Sequence, residues 1–284
     1  MRYARNSVVL HEPFEEEWFS ALLFGGTKGS LFLDVGAAAG YYCLLGLRLR
    51  PRMAVVAVNP SAYFQRVLVA NAALQHVPVE QAAADDVAAG RPLAQVPSAG
   101  HVLQLPVAVS AQPGRSAIGS LYGSSIRQAS PIGGRQGSAP RRDSLRRSGD
   151  ATSAAPAEHP VVTLRDLLTA CCNHTRSRVH LMMMDVQGEE SGIFATPDTQ
   201  AVLESHALER IIVGIHYGQG TATRVSNALR RAGYSILLEA ASVPAQPDGV
   251  VIAVAPHVEA PLSLLALAGR SHKSAKDAEP PTPG

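Results

Sequence analysis

Leu31-Phe-Leu-Asp-Val-Gly-Ala-Ala-Ala-Gly-Tyr-Tyr42 is the stretch whose reading decides the fold. An apolar run carries an acid at Asp34, small residues with glycines at 36 and 40 follow, and a helical pattern begins. A buried parallel strand delivers its chain to a nucleotide-like ligand in this way. Gly36 and Gly40 let the backbone approach closely, and the alanines leave room. Val55-Val-Ala-Val-Asn-Pro60 reads as the next strand, ending at Asn59, where a ribose would lie. The two strands are one helix apart, which makes a βαβ unit.

Spacing separates the ligand classes. A dinucleotide fingerprint, G-x-G-x-x-G, would put its second glycine on Ala38 and its third on Tyr41, a ring too bulky for tight helix packing. The pattern present is Asp34-x-Gly36-x-Ala38-x-Gly40. A carboxylate two residues before the first glycine suits a cofactor with a cationic amino-acid end and no pyrophosphate, as in S-adenosylmethionine.

The chain has 284 residues, 46% of them hydrophobic, enough for one large core or two small ones. Net charge is +2, and the basic excess is local: residues 110–159 hold seven arginines against three acids. The remainder is close to neutral, so no polyanionic partner and no specific nucleic acid are expected. Three cysteines (43, 171 and 172) are too few and too badly spaced for a disulfide framework or a zinc site. Cys171-Cys-Asn-His174 fits the apolar face of a short helix better than a metal site. No His/carboxylate cluster with metal-ligand spacing stands out, so no metal is expected. No apolar run reaches membrane-spanning length, and Met1-Arg-Tyr-Ala-Arg lacks a following apolar region. The expectation is a cytoplasmic protein without anchor or secretion signal.

Three parts follow from the pattern: a helical lead-in over 1–29, an α/β domain over 30–256, and a polar tail over 257–284. Helical spacing marks 11–24, 40–49, 61–74, 164–172, 198–207 and 221–232. Ser61 is a helix cap, and Thr163-Leu-Arg-Asp166 has capping-box spacing. Segment 75–100 is ambiguous, and 102–109 reads as a strand that Pro106 bends or confines to an edge. Residues 115–158 are rich in Ser, Gly, Pro and Arg and read as a disordered insertion. The strands at 179–186 and 210–216 end in Asp185 and His216, while those at 234–239 and 250–255 lie too close together for a crossover helix and must pair antiparallel. The expected fold is a doubly wound, mostly parallel α/β sheet closed by an antiparallel hairpin.

Ligands in open α/β sheets bind beyond the carboxyl ends of the strands. Asp34, Asn59, Asp185 and His216 occupy such ends. Each has a structural alternative. Asp34 or Asp185 would serve a turn or a helix start, and His216 a loop. Glu189 and Glu190 read as favourable charge at a helix N-terminus. Met182-Met-Met184 reads as strand packing.

The motifs Phe32-Leu-Asp-Val-Gly-Ala-Ala-Ala-Gly, Val56-Ala-Val-Asn-Pro, Val107-Ala-Val-Ser110, Val162-Thr-Leu-Arg-Asp-Leu-Leu and Met184-Asp-Val-Gln-Gly-Glu-Glu190 follow in an order that resembles the FkbM-type methyltransferases. The resemblance implies a class I methyltransferase-like fold, S-adenosylmethionine as cofactor, and O-methylation of a hydroxyl on a small molecule or sugar. It places Asp34, Gly36, Ala38 and Gly40 around the methionine part of the cofactor and Asn59 at the ribose. Asp185 and His216 then lie beside the acceptor, with His216 the base because its pKa lies near working pH. Where that family usually carries acids, this chain has Asn59, Ala111 and Gly214. The alternative is a non-catalytic relative of the same fold that acts as an interaction module through its basic insertion.

Overall fold

A computed structural model of the chain describes residues 13–24, 30–89, 91, 93, 98–117, 158–172, 178–243 and 248–259. Two strands set the frame. Strand β1 (Leu31–Val35) and β2 (Ala54–Val58) are buried along their whole length and pair in parallel across helix α2 (Tyr41–Leu49). Runs of Val, Leu and Ala with no polar alternation are what a strand covered on both faces requires.

After α1 (Pro13–Phe24) and this first unit come α3 (Ala62–Leu74), β3 (Val79–Gln81), α4 (Ala84–Ala88) and β4 (Val102–Leu105). A small sheet follows: β5 (Ala108–Val109), β6 (Gly114–Ala117) and β7 (Glu158–Val162). The second half contains α5 (Leu164–Cys172), β8 (Val179–Met184), α6 (Glu190–Ile193), α7 (Pro197–Glu204), β9 (Arg210–Ile215), α8 (Gln219–Arg231), β10 (Ser235–Ala240) and β11 (Gly249–Val254). The large sheet has the order β10-β11-β9-β8-β1-β2-β4-β3. Only β11 runs against its neighbours, β9 and β10. The chain leaves β1 toward β2 on one side and returns at β8 on the other, so the crevice between their carboxyl ends opens beside β1.

Both faces are filled. Leu33, Val35, Val56, Met182, Met184, Ile211 and Val213 pack with Leu167, Val225 and Leu229. Phe32, Val55, Leu181, Met183 and Ile212 pack with Trp18, Phe19, Leu22 and Cys43. The methionine triplet is thus core on alternate faces, as its strand position predicts. Among the described residues, no helix is long and apolar enough to cross a membrane.

The local signals hold at several points. Ser61 Oγ accepts from Phe64 N at 3.5 Å, and the Thr163/Asp166 box closes with two backbone bonds of 3.1 Å. Such caps contribute about 1 kcal/mol each. Gly233, at φ 84°, lies just past α8.

Three details differ from the expectations. Segment 75–100 contributes the edge strand β3 and the short α4. Pro106 does not bend one strand but separates two: β4 belongs to the large sheet and β5 to the small one, because proline has no N–H for a ladder. The insertion is also shorter at its edges than 115–158. Residues 114–117 and 158–161 pair antiparallel as β6 and β7, a stem of two strands. Residues 1–12 and 25–29 of the lead-in, residues 118–157, His174 and the tail beyond 259 lie outside the described residues.

Candidate active site

The turn after β1 is held from both sides. Gly36 N and Ala37 N donate to Val58 O at 2.9 and 3.1 Å, and Asn71 Nδ2 donates to Ala39 O at 3.1 Å. Gly36 has φ 97°, and a Cβ on it would collide with the main-chain oxygen of Asp185. Gly40, at φ 82°, faces the Leu68 side chain, which a Cβ would meet at 2.7 Å. Both glycines are therefore required by protein neighbours. Ala38 is exposed at φ 42° between them.

Asp34 is 4% exposed, and Cys43 Sγ donates to its Oδ2 at 3.1 Å. Burial pushes this carboxyl up to about 7; the thiol's hydrogen bond opposes the rise and the charge of Asp185 adds to it. Asn59, on the far side of β1, is buried too. Its Oδ1 accepts from Ser61 N at 2.8 Å and its main-chain oxygen from Gln65 Nε2 at 2.8 Å. Its main-chain N–H donates to Leu105 O at 3.1 Å, while its side-chain Nδ2 has no hydrogen bond among the described residues.

On the other side, Asp185 follows β8, donating its N–H to Val35 O at 2.8 Å. Its Oδ1 accepts from Gln187 Nε2 at 3.0 Å and stands 3.5 Å from His216 Nε2. Gly214 lies directly beside it: a Cβ there would touch the Asp185 carboxyl at 3.5 Å. An acid at 214 would crowd like charge onto Asp185, and this chain has glycine.

His216, at the end of β9, is 9% exposed. Its Nδ1 contacts Glu190 Oε1 at 2.9 Å, and Nε2 lies 3.5 Å from Asp185 and 3.6 Å from Asp248 Oδ2. Burial alone would lower its pKa. The hydrogen bond and charge of Glu190, joined by Asp185 and Asp248, outweigh burial and lift it to about 9. The expectation of an ordinary imidazole pKa near working pH does not survive this surrounding of carboxylates.

Glu190 and Asp248 are the members that sequence reasoning missed. Glu190 does open α6, as its helix-start reading held, but it is 0% exposed. Val186 N and Gly188 N donate to its Oε1 at 3.2 Å each. Glu189 points elsewhere and accepts from Ser110 Oγ at 2.9 Å, tying β5 to this loop. Asp248 immediately precedes β11, whose Gly249 pairs with Ile215. That register sets 248 opposite 216, and it is the signal that would have found it.

The described residues also hold a cluster that no spacing in the sequence announced: Asp185, Glu190 and His216 each bring a ligand atom within 4.8 Å of the others. Cys171, by contrast, is buried on α5, as an apolar helix face requires.

Backbone strain gathers at the same end of the sheet. Ala38, Gln187 and Tyr217 have φ of 42°, 57° and 63°. Tyr217 is 79% exposed, and its ring fills the space a side chain on Gly188 would need. Non-glycine residues in this region cost about 1–3 kcal/mol and concentrate at functional sites.

Among solved structures, fibrillarin from Aeropyrum pernix, in complex with natively bound S-adenosyl-L-methionine, aligns at 12% identity and TM-score 0.38, over 84% of this chain and 74% of its own. The Methanococcus jannaschii fibrillarin, a pre-rRNA processing protein, aligns at 12% identity and TM-score 0.40, over 85% and 75%. The S-adenosylmethionine-dependent methyltransferase SibL in its apo form aligns at 13% identity and TM-score 0.35, over 86% and 56%. No curated protein matches the sequence. The methyltransferase FkbM domain matches residues 34–236, well over half of the chain, and the protein belongs to that family of S-adenosylmethionine-dependent methyltransferases.

Proposed function

We propose that the protein methylates a hydroxyl oxygen on a small molecule or sugar. The observation that carries this reading is the meeting of Asp185 and His216 at adjacent strand ends, 3.5 Å apart and next to the β1 turn. A hydroxyl acceptor needs a group to take its proton, and this pair is one.

S-adenosylmethionine fits the residues beside that pair. Asp34 is a buried acid whose charge burial disfavours, and a cationic ligand end restores it. Asn59 keeps an amide nitrogen for a ribose oxygen, a weaker bond than a carboxylate would accept. Ala37, Ala38 and Ala39 keep side-chain bulk away from the turn. When bound, the cofactor supplies a methyl group already activated on sulfonium.

The chain's own part is alignment and proton removal. His216 is held protonated below about pH 9, so Asp185 is the carboxylate that takes the acceptor's proton, with the His216 ring 3.5 Å away steadying its charge. Glu190 fixes the ring through Nδ1, so Nε2 stays turned toward Asp185 and Asp248. Exposed Tyr217 lays its ring over Gly188 beside these groups.

Incubation with methyl-labelled S-adenosylmethionine and a panel of sugar and metabolite hydroxyls tests the reading. The expected product is a methyl ether, with turnover reduced about 10²–10⁴-fold in Asp185→Asn and His216→Asn. Label found on nitrogen would overturn the acceptor class. No transfer and no cofactor binding would favour the interaction module instead.

A further inference from the structure

We propose that Asp185, Glu190 and His216 form a binding site for a divalent cation of the Mn2+ class. The proposal deepens the reading above, on which it rests only for the position of the acceptor.

Three observations support it. First, one ligand atom from each side chain lies within 4.8 Å of the other two. The centre of such a triangle is at most about 2.8 Å from each corner, so shifts of a few tenths of an ångström reach coordination distance. Second, two of the polar atoms are buried and have no hydrogen-bond partner: Glu190 Oε2 and His216 Nε2. Leaving a buried carboxylate oxygen and a ring nitrogen unsatisfied is costly, so each of these two side chains keeps a ligand position that no protein group fills. Third, the charges are unbalanced. Among the described residues, the ion pairs of Glu190 and Asp248 lead to His216 alone, so several carboxylates share one imidazole.

The cluster is also more ordered than a chance gathering of acids. Two backbone N–H groups hold Glu190 in place, and Val35 O anchors the Asp185 backbone. Two carboxylates and one imidazole make a mixed oxygen and nitrogen set, which suits Mn2+ better than the oxygen-only Mg2+ or the sulfur-preferring metals. Asp185 and Asp248 are each about one-third exposed, which leaves open positions for water or an acceptor oxygen. An ion here would sit beside the acceptor and reduce the proton affinity of its hydroxyl.

The test is titration of EDTA-treated full-length protein with MnCl2, reading free Mn2+ by electron paramagnetic resonance. One saturable ion per chain is expected. Asp185→Asn and His216→Asn should each weaken it about tenfold or more. Asp198→Asn, which removes an exposed partner of Arg165, should leave it unchanged. Circular dichroism confirms that each variant is folded; should buried Glu190→Gln fail to fold, the two more exposed variants still decide. Absence of saturable binding at millimolar Mn2+, or equal affinity in all variants, overturns the site. The readout needs no acceptor: bound Mn2+ without methyl transfer counts against the hydroxyl reading alone, and transfer in EDTA without Mn2+ binding counts against the cation site alone.

Discussion

Glu190 Oε1 lies 2.9 Å from His216 Nδ1, and Glu190 has no exposed surface. A buried carboxylate therefore sets both the orientation and the proton affinity of the histidine that closes β9. In metal-free protein, the ring of His216 should titrate by NMR near pH 9. Its folded pKa exceeds the ordinary 6.5. The stability this adds is complete below about pH 6.5 and disappears as pH rises through about 9. Glu190→Gln should move the midpoint down and lower stability by about 1–3 kcal/mol.

Gly36 should resist every substitution for a reason unconnected with ligand. Gly36→Ala adds a methyl group against the Asp185 carbonyl at a positive φ. A loss of about 2 kcal/mol or more is expected in urea unfolding. Ala38→Gly, at an exposed left-handed position two residues on, should instead be neutral or stabilise by about 1 kcal/mol.

Asp34 makes the cofactor-free protein lose stability as pH rises from acid toward neutral. With a folded pKa of about 7 against 3.8, the folded state holds the proton more tightly than the unfolded chain. Stability is then full below about pH 4 and falls as pH rises to about 7, by on the order of 4 kcal/mol at most. Asp34→Asn should flatten that slope in denaturation curves taken between pH 4 and 8. An unchanged slope would remove Asp34 from the account.

The opposite end of the sheet responds to acid. His180 Nδ1 accepts from Arg210 Nη1 at 2.7 Å, and Nε2 donates to Leu23 O, at the end of α1, at 3.3 Å. Burial, followed by the Arg210 charge, holds its pKa below 6.5, although Glu209 and Leu23 O pull upward. Because the folded value is depressed, stability is complete above about pH 6.5 and falls as acid protonates the unfolded chain first. Trp18, the single tryptophan and fully buried on α1, reports this. Its emission should shift red at mildly acidic pH, and His180→Gln should reduce the shift.

Most of the fold was legible because its signals are local. Apolar runs ending in acids, glycine turns and capping residues all lie within a few positions of one another, and they mark β1, β2, β8, β9 and α5 correctly. The strand-end rule also brought Asp185 and His216 together. What stayed hidden depends on packing between distant segments. Glu190 reads as a helix start until burial turns it onto His216. Asp248 joins only through the β9–β11 register. Gly36 reads as a ligand glycine until the Asp185 carbonyl occupies its side. Asn59 stands where a ribose acid is expected, yet its oxygen is committed to Ser61 N.

Calorimetric titration with S-adenosylmethionine, comparing wild type with Asn59→Leu and Asp34→Asn, tests the central claim most directly. One site per chain is predicted in the wild type, with affinity weakened several-fold or more in both folded variants. No heat at millimolar ligand, or identical affinity in all three proteins, would contradict it.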